Sequence, residues 1–425
     1  MSPKKPNRVA TAGANAALVP KLRFPEFRDG WDTNALGEIA TFVNEKVPLE
    51  RVAVENYVST ENILPDYGGV AKASKLPATG SVTRYRPNDT LVSNIRPYLK
   101  KVWVADKEGG ASNDVIVIRA KQSLLPEYFS CLLKNDAFID YVMTGAKGVK
   151  MPRGDVGAMK AYPMLYPSIA EQQKIADCLS SLDELIAAQG RKVEALKTHK
   201  KGLMQQLFPR EGETQPRLRF PEFKNSEEWR ELPLAALAEK IMVGIASAAT
   251  HAYRETGVPM LRNQNIKEGG IDDSSLLFID PAYEVAHKNK RLRAGDVITV
   301  RTGYPGLSAV ITQRHHNAQC FTSLITRPKK DVLSPDYLCA YINSDIGKRF
   351  IIGAEAGGAQ KNVNAGALEA MPVHLPALDE QKRIASFMSS LDVLIAAAVQ
   401  ELDAIKTHKQ GLMQQLFPSP EAVAA

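Results

Sequence analysis

Apolar residues fall at alternating spacings of four and three along two separate stretches of the chain. The first stretch runs Ile175, Leu179, Leu182, Ile186, Gln189, Val193, Leu196, Lys200, Leu203 and Leu207. The second runs Ile384, Met388, Leu391, Ile395, Ala398, Leu402, Ile405, Lys409, Leu412 and Leu416. A 3.5-residue period held this long is the signature of a coiled-coil seam. Pro167 and Pro376 stand before the two stretches and Pro209 and Pro418 after them, which suits helix start and stop rules. Two long helices are therefore predicted, pairing with each other. The plainer reading is two amphipathic helices, each packed on its own domain. The polar seam residues Gln189, Lys200 and Lys409 weaken a dry core but can fix register. Gly202 and Gly411 recur at matched positions, where close approach of another backbone, a partner subunit's among them, would explain them; the plainer reading is a tolerated exposed glycine.

The two stretches are copies. Glu171–Pro209 and Glu380–Pro418 are identical at 25 of 39 positions, and such self-similarity organises everything else in the chain. A shorter block, LRFPEF, occurs at Leu22–Phe27 and again at Leu218–Phe223, followed by Trp31 and Trp229. The predicted division is a disordered tail at 1–19, a first domain at 20–167, a helix at 168–209, a linker at 210–215, a second domain at 216–376, a helix at 377–418 and a tail at 419–425. The short linker places the start of the second domain at the end of the first helix. The second helix leaves that same domain, so the two helices are expected to run antiparallel. At ~1.5 Å per residue each is roughly 50–60 Å long, a spacer holding two domains at its opposite ends about a pseudo-two-fold axis.

Between the helices the pattern changes to short strands and turns. Asn88-Asp89 and Gly295-Asp296 each read as a turn entering a strand, with further strands at Asp114–Ile118 and Thr322–Ile325. Leu125-Pro126-Glu127-Tyr128 and Ser334-Pro335-Asp336-Tyr337 open short helices, with proline near the first turn. Each domain is thus the same α+β unit with a divergent surface.

Composition narrows the class. The formal charge is +7, a balance compatible with a polyanionic partner. No run of about 18 apolar residues is expected to span a membrane, and the N-terminal stretch lacks the apolar core of a secretion signal. Cys131, Cys178, Cys320 and Cys339 form no CxxC pair, which suits a reducing cytosol and argues against a zinc site. No phosphate-binding GxxxxGK[ST] loop is present, nor an NPPY- or DPPY-like tetrapeptide or an FxGxG-type loop. No catalytic residue and no metal ligand set is expected; His315-His316 lacks an HExxH context.

Candidate contact residues lie where basic and amide side chains interleave with aromatics. In the first domain they are Arg84, Arg86, Asn94, Arg96, Tyr98, Lys100, Lys101, Lys147, Lys150 and Arg153. In the second they are Arg262, Asn263, Gln264, Asn265, Lys288, Arg291, Arg301, Thr302, Tyr304, Gln360, Lys361 and Asn362. Arginine forks onto guanine and asparagine or glutamine onto adenine, while lysine more often positions the backbone. The glycine-rich Ala356–Ala359 segment would let the backbone approach a ligand closely.

These features together resemble the specificity subunits of type I restriction–modification systems. The resemblance rests on LRFPEF…W, on NIRPYLKKV and RTGYPG, and on the EQ-x-x-IA…LD-x-LI…K-x-H-K-x-GLMQQLF helix present twice, and it spans roughly Pro20 to Pro418. It implies two target-recognition domains, each reading one half of an interrupted, asymmetric double-stranded DNA site, about one helical turn apart. It further implies that the paired helices act as a ruler and bind two copies of the modification subunit. S-adenosylmethionine, ATP and Mg²⁺ would then be used by partners, the methyltransferase and an ATP-driven restriction subunit. The expected location is the cytoplasm, at the nucleoid when bound to DNA. The rival class is a two-headed scaffold that binds proteins.

Overall fold

The computed structural model describes residues 20–210, 212–247, 249–268, 270–354 and 362–418. It contains two compact units, of which the second is contiguous in sequence and the first is not. The first comprises Met1–Ala188 with Leu402–Ala425, and the second Gln189–Glu401. Each long helix, Ile169–Leu207 and Leu378–Leu416, therefore contributes residues to both.

In the first unit a four-stranded antiparallel sheet orders Ala40–Phe42, Val115–Ala120, Thr90–Ser93 and Val102–Val104. A second sheet orders Lys46–Pro48, Ser81–Tyr85, Gly109–Ala111 and Tyr57–Val58, its last pairing parallel. Asp32–Ala35 pairs with Pro163–Tyr166 just before the long helix. Three helices, Pro126–Leu133, Asp136–Thr144 and Val156–Ala161, complete the unit. The second unit repeats this plan. One sheet orders Ala238–Val243, Leu324–Pro328, Val297–Thr299 and Ser308–Val310. The other orders Tyr253–Arg254, Leu277–Ile279, Val258–Leu261 and Gln319–Cys320, again ending in a parallel pair. The architecture is α+β, as the sequence predicts.

The repeated motifs are what tie each unit together. In the first, Arg23 of LRFPEF forks onto Glu171 at 2.7 and 2.8 Å; in the second, Arg219 forks onto Glu380 at 2.7 Å through both nitrogens. Both carboxylates are buried, and breaking so enclosed a pair costs about 3–5 kcal/mol. The neighbouring glutamines do matching work. Gln172 donates to the carbonyls of Ser123 and Pro167 and accepts from the Leu125 N–H. Gln381 donates to Val332 and Pro376 and accepts from Ser334. At the other end of the motif, the phenylalanine of QQLF packs on the tyrosine of the short helix. Phe417 lies 5.7 Å from Tyr128, and Phe208 lies 5.7 Å from Tyr337, between ring centroids. The Leu22 N–H donates to the Gln415 carbonyl and the Leu218 N–H to that of Gln206. In the first unit this joins the start of the chain to the end of the second long helix.

Each unit holds a stretch of paired helix. Every seam position is buried or half-buried. In the first unit Ile175 and Leu179 share a core with Leu412 and Leu416, and Lys409 reaches Asp183. In the second, Met204 and Leu207 share a core with Ile384 and Met388, and Lys200 reaches Asp392. Rising numbers on one helix meet falling numbers on the other, so the pairing is antiparallel within each unit. Lys200 and Lys409 are repeat equivalents, as are Asp183 and Asp392, so the two ion pairs are the same device built twice. Gln189 is satisfied as well, donating to the Ala398 carbonyl and to Glu401. The polar seam positions are thus paired across the interface, which fixes register at little cost in unmet hydrogen bonds.

Two expectations change. By length and composition the helix Leu378–Leu416 is apolar enough to cross a membrane. Much of that apolar character comes from Ile384, Met388, Leu391, Ile395 and Ala398, the seam itself. Gly202 and Gly411 have open space where a side chain would begin, so among the described residues no backbone of this chain packs against them.

Candidate nucleic-acid interface

In each unit the hairpin loop of the first-described sheet meets a segment that precedes a short helix. In the first unit, strand Thr90–Ser93 enters residues 94–101. The Arg96 N–H donates to the Pro152 carbonyl at 2.8 Å and the Gly154 N–H to that of Asn94 at 3.2 Å. Backbone bridges join Ile95 to Arg153 and Lys147 to Arg153. From the other side, the Asp66 and Tyr67 N–H groups donate to Leu99 and Lys100, both at 3.0 Å. The braced surface exposes Tyr98, Val149 and Met151, with Lys150 also exposed. Three apolar side chains kept in water beside basic groups mark a contact surface.

The second unit builds the same junction. Residues 300–307 link Val297–Thr299 to Ser308–Val310, the Val363 N–H donates to the Arg301 carbonyl, and Thr302 bridges Asn362. Arg301 Nε donates to Asn362 Oδ1 at 2.8 Å. Asn263 donates to both the carbonyl and hydroxyl of Thr302 and accepts from Ser323. Tyr304 stands out from this network, 84% exposed. Gln360, Lys361 and the Ala356–Ala359 segment lie outside the described residues.

The remaining candidates divide by their partners. Arg84 and Arg86 both pair with Glu45, Arg84 also with Glu108. Lys100 pairs with Asp136, Lys147 with Asp155 and Arg153 with Asp114. Lys101 donates to the Thr60 carbonyl. In the second unit Arg291 forks onto buried Glu284 at 2.6 Å, Lys288 is exposed, and Arg262 and Gln264 both reach Ser275. Asn265 departs from the expectation: it is fully buried and donates to the Asp272 carbonyl, so it holds a turn and presents no edge. The acids of the two turn signals are also structural. Asp89 takes a fork from Arg119, and Asp296 one from Arg327.

Sequence reasoning missed three features here. Asp66 and Tyr67 brace a distant loop through their backbone alone, which no side-chain pattern records. Thr322, expected in a strand, has a left-handed φ of 58°, uncommon for a β-branched residue. Leu185 and Leu394, at matched positions outside the 4,3 seam, are 50% and 54% exposed; their repetition was the available signal.

Burial pushes the Cys320 and Cys339 thiols up to about 12 and raises that of Cys131, which keeps them protonated. Among the described residues no group of three or more His, Cys, Asp or Glu is gathered as a metal site.

Residues 28–198 and 226–407 each match the family model described as the type I restriction modification DNA specificity domain. The chain belongs to this family. It is a DNA specificity subunit of a type I restriction–modification system, the non-catalytic component, with two target-recognition repeats. The type I restriction enzyme MjaVIII specificity subunit of Methanocaldococcus jannaschii is 24% identical, with 93% of each chain covered. The EcoKI specificity subunit of Escherichia coli K12 is 24% identical over 41% of this chain and 36% of its own length. Among solved structures, a chain from work on complex assembly and conformational transition of the type I R-M system aligns with a TM-score of 0.61 at 18% identity, covering 93% of this chain and 99% of that one. The type I S subunit from M. genitalium aligns with a TM-score of 0.53 at 14% identity, covering 94% and 99%. These two likenesses concern the fold alone.

Proposed function

We propose that each specificity domain, residues 20–167 and 216–376, reads one half of an interrupted, asymmetric DNA site through its braced hairpin junction. The observation that carries this reading is the same junction built in both units from unlike side chains: Asn94, Arg96 and Tyr98 in one, Arg301, Thr302 and Tyr304 in the other. A shared backbone frame with divergent contacts is what two readers of different sequences require. Lysines such as Lys147, Lys150 and Lys288 suit the phosphate backbone, which positions without specifying.

The helices 168–209 and 377–418 serve as spacer and as docking surface for two copies of the modification subunit. In support, Leu185 and Leu394 are exposed repeat equivalents, a pair that offers one partner the same foothold twice. S-adenosylmethionine, ATP and Mg²⁺ act in the partner methyltransferase and restriction subunits, and the complex works in the cytoplasm on nucleoid DNA. Methylome sequencing of a host carrying this chain with its modification subunit tests the reading. A methylated motif of two defined blocks around a fixed unspecified gap is expected. Finding the same motif after deletion of this chain would refute it.

A further inference from the structure

We propose that Arg96 is the guanine-reading residue of the first unit. The inference rests on the reading of the hairpin junction as a DNA-contacting surface, and it begins with backbone geometry. Arg96 has a left-handed backbone, φ 51° and ψ 63°, immediately before Pro97, a place where residue conformations are already restricted. Lys100 is left-handed too, at φ 53°. The corresponding loop of the second unit puts glycine at its left-handed positions, Gly303 at φ 87° and Gly306 at φ 95°. Glycine takes this conformation without steric cost. An arginine held there is strained, and such strain collects at functional sites where the surroundings over-determine it. The bracing is present: Pro152 takes the Arg96 N–H, while Asp66 and Tyr67 hold the carbonyls of Leu99 and Lys100.

The side chain supplies the second half of the inference. The other arginines among the first unit's candidates all have acidic partners, Arg84 and Arg86 at Glu45 and Arg153 at Asp114, and Lys100 is paired with Asp136. Arg96 has no hydrogen-bond or ion-pair partner for its guanidinium among the described residues, and its Nε is shielded from solvent with nothing to donate to. Asn94 Oδ1, two residues earlier, is likewise shielded and unpartnered. Unmet buried polar groups are rare and call for a reason. A strained arginine with a free fork, flanked by exposed Tyr98, is fitted to O6 and N7 of guanine in the major groove. Lys150, also unpartnered, is a point charge suited to phosphate.

The test uses the full chain co-expressed with its modification subunit. Arg96→Gly should leave the thermal midpoint unchanged or raised, because the strain is relieved. Its methylome should become degenerate at one G·C position of one block, with discrimination there falling about tenfold or more and the other block intact. Arg96→Lys should relax discrimination less than Arg96→Gly, since an ammonium can still donate to O6 or N7 but lacks the planar fork. A wild-type complex should bind a duplex with 7-deazaguanine at that position more weakly than one with guanine, and the Arg96→Gly complex should bind both alike. An unchanged methylated motif, a uniform loss across sequences with a shallower salt dependence, or a lowered thermal midpoint would each overturn the assignment. Exchanging residues 93–101 and 147–153 together for a relative's separates the two levels. A change confined to one block leaves the junction reading standing even when Arg96→Gly fails, and no change removes both.

Discussion

Three pairs of residues show how duplication was kept where it holds the fold: Arg23 with Arg219, Glu171 with Glu380, and Gln172 with Gln381. Each does the same work in its unit, so identity between the copies marks structural duty. Where the copies differ, their environments differ. His374 occupies the place of Leu165 in the matched strand. It is buried, with Nδ1 at 2.8 Å from the Tyr341 hydroxyl and Nε2 at 3.2 Å from Glu231. Burial lowers its pKa, with Glu231 opposing that shift. The folded state therefore binds fewer protons than the unfolded chain, whose histidine titrates near about 6.5. Stability is complete above that value and declines as the pH falls through it. Urea unfolding at about pH 7.5 and about pH 5.5 should show a loss in the wild type that shrinks in His374→Leu, which restores the residue of the first copy. Equal losses in both proteins would contradict this.

At the scale of elements, the long helices were the most legible part of the sequence, because a 4,3 spacing over so many turns leaves few alternatives. The pairing partners of Lys200 and Lys409 were not legible: each finds an aspartate on the other helix, and only the antiparallel register brings them together. The strand and helix positions in the domains were readable from turn signals to within a few residues. The junctions that form the candidate interface were only partly so. Arg96, Tyr98 and Arg301 stood out by composition, but that residues 94–101 meet 147–154 depends on contacts distant in sequence. Asn265 shows the limit, since an amide beside arginine reads as a base contact while its carbonyl and amide are absorbed by a turn. The exposed Leu185 and Leu394 belong to this scale. Leu185→Glu and Leu394→Glu should each change folding stability by less than about 0.5 kcal/mol, as surface substitutions do. Each should release one modification subunit, and the double variant both, as read by native mass spectrometry. Unchanged stoichiometry in the double variant would count against the helix face as the docking surface.

At the scale of the whole molecule, the chain is one plan written twice, with each unit completed by helix residues from the other half of the sequence. The first unit takes Leu402 onward from the second helix, and the second takes Gln189 onward from the first. This arrangement leaves the two junctions, one in each unit, free to diverge. A readout that treats the two junctions separately is therefore the sharpest test. Residues 20–167 should be replaced by the equivalent segment of a family member with a different motif, keeping both helices, and the methylome of a host expressing the hybrid with its modification subunit sequenced. The account predicts that one block of the methylated motif changes while the other block and the gap between them stay as they were. A change in both blocks, or in neither, with the hybrid folded and assembled, would contradict it.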